Sequence, residues 1–299
     1  LFNNRLLRPL TAHFLPHLDL VHLTHQGTKI RRPIGAETLV TVHDVNFFHN
    51  HLKNVAHKVR RFRRGIAPAT HLSFISEFTK HDVLSRFKIS IPDKVILNGV
   101  NDLSQSPDKS NLELPDAYFF HISRLAAKKN VHLLIQMMKY LPEENLVIAG
   151  SGHKDYLREL ETIIRSENLH NVFMLGNVST EDKAFLYRHC KALMFPSLSE
   201  GFGLPVVEAF CFGKPAFITN LTALPEVGGD AAYYFDELQP AAMAKTVENG
   251  LLDFQSDEKA KSAAFREQAE KFSWDTAAEN YIRYYLEILN ITPQENAPC

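Results

Sequence analysis

Short apolar strands recur along this chain, and helix-periodic or polar segments separate nearly every pair of them. DLVHLTH (Asp19 to His25), TLVTVHD (Thr38 to Asp44), THLSFIS (Thr70 to Ser76) and KVILNGV (Lys94 to Val100) are rich in Val, Leu, Ile and Thr and read as strands. AYFFHIS (Ala117 to Ser123), NLVIAG (Asn145 to Gly150), NVFML (Asn171 to Leu175), KALMF (Lys191 to Phe195) and KPAFIT (Lys214 to Thr219) repeat the pattern. Between them, residues 51–67, FTKHDVLSRF (Phe78 to Phe87) and the spacing of Val131, Leu134, Met138 and Leu141 predict helices. Such alternation predicts parallel sheets with helices on their faces, an α/β fold.

A chain of 299 residues can bury two cores. DLSQSPDKSNLELPD (Asp102 to Asp116) is polar, proline-bearing and aperiodic, so it reads as the linker between two domains. The boundaries expected from this are 1–113 for the first domain and 114–273 for the second. A formal net charge of −1 removes any basic excess that would point to nucleic acid. Cys190, Cys211 and Cys299 show no paired spacing, which fits a reducing compartment rather than a disulfide scaffold. No apolar run approaches a membrane span and no signal-peptide pattern opens the chain, so a cytoplasmic protein is expected.

The most specific segment is SEGFGLPVVEAFCFG (Ser199 to Gly213), which follows the strand KALMF through a short polar loop. Gly201 and Gly203 permit a tight turn and a close approach to a ligand. Pro205 suits a first helical position, where its missing N–H has no intrahelical partner. The amides that open this helix, with the helix dipole behind them, suit a phosphate. Glu200 and Glu208 flank that turn, and carboxylates beside an anion site need a ligand bearing hydroxyls as well. A nucleotide sugar is such a ligand.

Glu200 and Glu208 with GFGLPVV between them resemble the E-x7-E motif of family 4 retaining glycosyltransferases. The resemblance continues through GKPAFITNLTALPEVGGDAAYYF (Gly213 to Phe235). It implies the GT-B fold, two Rossmann-like domains with parallel sheets facing a central cleft. WDTAAENYIRYYLEIL (Trp274 to Leu289) resembles the family's C-terminal helix, so residues 274–299 are expected to pack back on the first domain. Family members open with a strand and glycine-rich loop that this chain does not show, so an incomplete first domain is expected.

SRLAAKKN (Ser123 to Asn130) resembles the family's G-R-L-x-x-x-K-G segment, which implies that Arg124 and Lys129 neutralise the donor diphosphate. Lys128 is adjacent, and register alone favours Lys129. Ser123 and Asn130 stand where the family commonly has glycine. The resemblance makes Glu208 a partner of the ribose hydroxyls and Glu200 a partner of the sugar. Gly201, Phe202, Gly203 and Leu204 line the donor turn, with Gly150 of AGSG beside it. Asn177 and Val178 of LGNVS fall where relatives hold the nucleotide base. V-H-D in TLVTVHDVNFF resembles the family's V-x-x-H-D motif, whose histidine, here His43, faces the donor sugar. Ser76 and Glu77 of SFISEFTK fall at an edge where acceptor contacts are expected, and Gly99 of ILNGVN is expected to be structural.

The function implied is transfer of a hexose from a UDP-, GDP- or ADP-sugar to a glycan or lipid-linked hydroxyl acceptor. Retention of configuration and a place in bacterial surface polysaccharide or lipopolysaccharide synthesis come with the resemblance. No metal constellation is visible and no cofactor is expected, since cationic side chains do the work of a metal. The alternatives are a nucleotide-sugar epimerase of the same fold and a silent donor-binding fragment. A two-carboxylate glycosidase is disfavoured, because a hydrolase needs no diphosphate site. Lys53, Lys58, Arg60, Arg61, Arg63 and Arg64 cluster within residues 51–67, which suits an anionic membrane surface and a peripheral location at its inner face.

Overall fold

The computed structural model describes residues 18–28, 35–49 and 54–292. Lys53 and Cys299 lie outside them. The chain divides into two compact units, 1–99 with 274–299 and 100–273.

The first unit holds β1 (Leu20–Leu23), β2 (Glu37–Val42), α1 (Val55–Ile66), β3 (His71–Phe74), α2 (Glu77–Arg86) and β4 (Asp93–Val95). Its four strands are parallel in the order β1-β2-β3-β4. Successive side chains of β2 face opposite ways. Val40 and Val42 enter a cluster with Leu72, Phe74, Val83 and, from α1, Phe62.

The second unit runs β5 (Phe119–Ile122), α3 (Val131–Met137), β6 (Leu146–Ala149), α4 (Lys154–Ser166), β7 (Val172–Gly176), α5 (Thr180–His189) and β8 (Ala192–Phe195). It continues with α6 (Leu204–Cys211), β9 (Ala216–Thr219), α7 (Leu224–Gly228), β10 (Tyr233–Phe235), α8 (Pro240–Ser256) and α9 (Glu258–Glu270). All six strands are parallel in the order β10-β9-β8-β5-β6-β7. Numbered within the sheet this is 3-2-1-4-5-6, the doubly wound order, and its switch point lies between β5 and β8. Leu146, Ile148, Met194 and Phe217 bury one face against α3 and α8. Phe210 of α6 stacks on Phe265 of α9 at 5.2 Å. Burial of a Phe side chain of this kind contributes about 2–3 kcal/mol. The edge strand β10 was not expected, because three residues give too little pattern to read.

The last helix, α10 (Trp274–Ile288), belongs with the first unit. Tyr284 and Ile288 pack against Leu39 and Ile96, on the face of β2 opposite Val40. The Tyr281 hydroxyl meets Thr41 at 3.1 Å, which explains polar residues inside an otherwise apolar strand. A Cβ on Gly99 would lie 2.4 Å from the Trp274 nitrogen, so Gly99 is structural, as expected.

The expected boundary at 113 requires correction, because residues 100–113 pack with the second unit. The Arg188 guanidinium donates to the Ser104 and Ser106 carbonyls at 2.7 and 2.8 Å. Ser110 donates to Asp182 at 2.6 Å. A segment that is polar and aperiodic can still be ordered when side chains of a neighbouring helix take up its carbonyls. Among the described residues no helix is long and apolar enough to cross a membrane.

Candidate donor site at the switch point

In open α/β sheets ligands bind outside the carboxyl ends of the strands where the order reverses. Here that crevice is bounded by the segment after β5, Ser123 to Asn130, and the segment after β8, Pro196 to Gly203. The two are stitched together. The Leu198 amide donates to the Lys128 carbonyl at 2.8 Å, and Asn130 Nδ2 donates to the Pro196 carbonyl at 3.0 Å. Asn130 has φ 54°, the left-handed conformation that explains why an Asn can stand where glycine is frequent. Lys128 turns its ammonium to the Ser199 carbonyl at 3.1 Å.

Lys129 is the cation that enters the crevice. Its ammonium pairs with Glu200 and lies 5.0 Å from the Phe195 ring centroid. Both side chains are mostly buried. Glu200 is held in turn by its own amide, which donates to Thr222 Oγ1 at 3.0 Å. Arg124 is exposed and makes no ion pair or side-chain hydrogen bond among the described residues. One cation is therefore already paired with an acid, and the other is available to an anion.

Beneath them His121 bridges the seam. Its Nδ1 lies 2.8 Å from the Met194 carbonyl, which can only accept, so Nδ1 carries the proton. Nε2 then accepts from the Ser123 hydroxyl at 2.8 Å. Burial lowers the His121 pKa to about 4, with the Met194 carbonyl opposing and Lys129 adding to the effect. The serine that replaces the usual glycine is thus fixed by a neutral histidine, a pairing the sequence analysis missed.

Of the two glycines in the acid-bearing turn, Gly203 takes the positive φ that favours glycine. Gly203 has φ 123°, and α6 begins at the next residue. The Phe202 ring is buried edge-on against Phe272 at 5.5 Å. Leu204 is exposed. Glu208 has its own partners on α5, Lys183 at 2.8 Å and the Tyr187 hydroxyl at 2.8 Å. Glu200 and Glu208 thus answer to separate cations, Lys129 and Lys183.

On the other flank Gly150 has φ 123°, and a Cβ there would lie 1.8 Å from the Ser123 carbonyl oxygen. Its amide donates to the Gly176 carbonyl at 2.7 Å, which places Asn177 and Val178 beside it at the end of β7. A cavity of about 680 Å³, lined by Arg188, Cys211, Phe212, Arg266 and Phe272, opens at the far end of α6. It is not the donor crevice.

In the first unit His43 follows β2. Its Nε2 donates to the Thr24 carbonyl at 2.7 Å, so the neutral ring keeps Nδ1 as an acceptor. Gln26 braces the motif from both sides, accepting from the His43 amide and donating to the Asp44 carbonyl, each at 3.0 Å. Ser76 needs correction. It is fully buried as the N-cap of α2, where it accepts from the Thr79 amide at 3.0 Å. Its hydroxyl therefore serves the helix, while the neighbouring Glu77 side chain is exposed in the first turn of α2. Thr79 also donates to the His43 carbonyl at 3.3 Å, so cap and motif are mechanically joined.

The second unit is a doubly wound α/β sheet whose switch point carries a free arginine, a paired lysine and an acid-flanked helix start. Two such parallel-sheet units in one chain form the GT-B fold, shared with Anabaena HepE in complex with UDP and glucose at a TM-score of 0.71 and 19% identity, covering 84% of this chain and 72% of that one. Residues 104–271 match the family described as Glycosyl transferases group 1, and the chain belongs to that family. It is 27% identical to the O-antigen chain mannosyltransferase B of Escherichia coli, across 89% of this chain and 75% of that one. It is also 30% identical to the Escherichia coli serotype-specific mannosyltransferase WbdA across 63% of this chain, which spans only 24% of that longer protein.

Proposed function

We propose that the chain transfers a hexose, with mannose the first sugar to test, from a nucleoside diphosphate to a hydroxyl of a growing surface polysaccharide, with retention. The sugar is suggested by the mannosyltransferase relatives, and the acceptor class by their O-antigen description. The diphosphate would lie between Arg124, Lys129 and the amides of the turn ending at Gly203. Breaking the sugar–phosphate bond leaves extra charge on the departing diphosphate, and fixed cations in a partly dry crevice stabilise it. Glu200, freed from Lys129 as phosphate arrives, would turn to the sugar hydroxyls or to positive charge at the anomeric carbon. Glu208 would take the ribose, and His43, through Nδ1, a hydroxyl of the acceptor. Retention would follow front-face attack, with the departing phosphate oxygen taking the acceptor proton.

The observation that carries this reading is the Lys129–Glu200 pair at the switch point beside an unpaired Arg124. Incubation with UDP-, GDP- and ADP-sugars, with and without acceptor glycans, tests it. Transfer abolished by replacing Arg124 or Lys129 supports the assignment. Sugar altered in the absence of any acceptor would make the protein an epimerase and end it.

Work at the inner membrane face is part of the proposal. Arg60, Arg61, Arg63 and Arg64 are exposed on α1, whose apolar Phe62 is buried. Such a face is attracted to anionic lipid. Flotation with phosphatidylglycerol vesicles that is unchanged after replacing all four arginines would refute this.

A further inference from the structure

Glu208 has two side-chain partners, Lys183 and Tyr187, and both lie outside the motif. Lys183 and Tyr187 are one helical turn apart on α5, so both reach the same point on α6. Each takes a different oxygen of the carboxylate, Lys183 Oε1 and Tyr187 Oε2, both at 2.8 Å. Tyr187 is fully buried, edge-on to Phe120 at 5.1 Å and stacked on Phe212 at 5.8 Å. Its ring cannot turn without disturbing the core. Burial and the adjacent Glu208 charge hold its proton on, so it remains a donor throughout the working range.

A carboxylate oxygen can accept a second hydrogen bond. With one donor on each oxygen, the carboxylate plane is fixed and both oxygens keep capacity for a pair of neighbouring hydroxyls. We infer that Lys183 and Tyr187 are positioning residues that hold Glu208 in the geometry for two-point capture of a vicinal diol, and so make the site select a ribonucleotide over its 2′-deoxy analogue. The inference rests on the proposed contact between Glu208 and the donor ribose. Recognition of this kind discriminates strongly, because an analogue lacking the hydroxyl leaves a partly buried acceptor unmatched.

The test compares UDP with 2′-deoxy-UDP, and GDP with 2′-deoxy-GDP, by titration calorimetry on the intact chain, using the pair whose ribo member binds more tightly. Wild-type protein should prefer the ribonucleotide by roughly tenfold or more, the scale of a hydrogen bond to a charged acceptor. Tyr187→Phe and Lys183→Met should each lower ribonucleotide affinity more than that of the deoxy analogue, which can offer Glu208 only its 3′-hydroxyl, so that the ratio falls toward one. A purely structural role would weaken both ligands together. Tyr187→Phe lacks only a buried hydroxyl, and Lys183 is partly exposed, so a folding defect in one does not remove the other arm. If Glu208→Gln keeps the preference, or neither ribonucleotide binds, the ribose contact itself falls and this inference with it. If Glu208→Gln loses the preference while Tyr187→Phe and Lys183→Met keep it, the ribose contact stands and the positioning role is overturned.

Discussion

The Lys129 ammonium and the Glu200 carboxylate, 71 residues apart in sequence, close the seam between β5 and β8 at the carboxyl end of the sheet. Both are mostly buried, so neither charge is well solvated without the other. Removing one partner of a buried pair is costly because the survivor is stranded. Lys129→Met should lower stability by about 3 kcal/mol and nucleotide binding at least tenfold, read by urea unfolding and by calorimetry. Glu200→Gln leaves an amide oxygen for the ammonium, so it should cost less stability while transfer falls by roughly 10²-fold. The double variant should be less destabilised than the sum of the two, since the sites share one interaction.

His121 predicts an acid sensitivity with a defined sign. Burial lowers its pKa to about 4 from an ordinary 6.5, so the unfolded chain takes up the proton first as pH falls. The stability linked to neutral His121 is fully present above about pH 6.5 and is lost as pH drops toward 4. Denaturant titrations of wild type should show stability falling by a few kcal/mol across that window. His121→Asn should flatten the slope, whatever its effect on stability at pH 7.

Gly150 and Gly203 share φ 123° but differ in surroundings. A Cβ at Gly150 meets the rigid Ser123 carbonyl at 1.8 Å, whereas one at Gly203 meets only a Leu224 methyl at 2.8 Å. Gly150→Ala should therefore lower the melting temperature more than Gly203→Ala, with backbone strain alone costing about 1–3 kcal/mol in either. Gly150→Ala should also weaken nucleotide binding, because the displaced Ser123 carries Arg124 with it. Equal melting temperatures for the two would contradict the close approach.

Ser76 and Glu77 make opposite predictions. Ser76→Ala removes an N-cap and should cost about 1 kcal/mol of stability with the acceptor KM unchanged. Glu77→Gln takes the acidic side chain from the first turn of α2 and should cost about 0.3–1 kcal/mol and, if the acceptor reaches this edge, raise the acceptor KM. Thermal unfolding and initial-rate kinetics separate the two.

Gln26→Leu removes both braces on the His43–Asp44 segment. The expected result is a fall in kcat of at least tenfold, on the scale of a catalytic group misplaced by an ångström, with donor affinity in the second unit unchanged. Equal losses in both parameters would mean that the first unit has simply been destabilised.

The strand and helix order was legible in the sequence because each element is a local pattern, and the nine strand runs above need only a few neighbouring residues to declare themselves. The acid motif was legible for the same reason: glycines, proline and two glutamates lie within one strand–turn–helix unit. Register alone chose Lys129 over Lys128, and only the tertiary structure separates their partners, the Ser199 carbonyl for the Lys128 ammonium and Glu200 for that of Lys129. Ser76 was misread because a buried cap and an exposed acceptor contact have the same sequence signature. The boundary near Gly99, the seat of α10 and the partners of His121 and Glu208 were decided only by tertiary structure. Each depends on side chains far apart in the chain meeting across a sheet or between helices, and periodicity carries no information about which distant donor a buried acceptor will find.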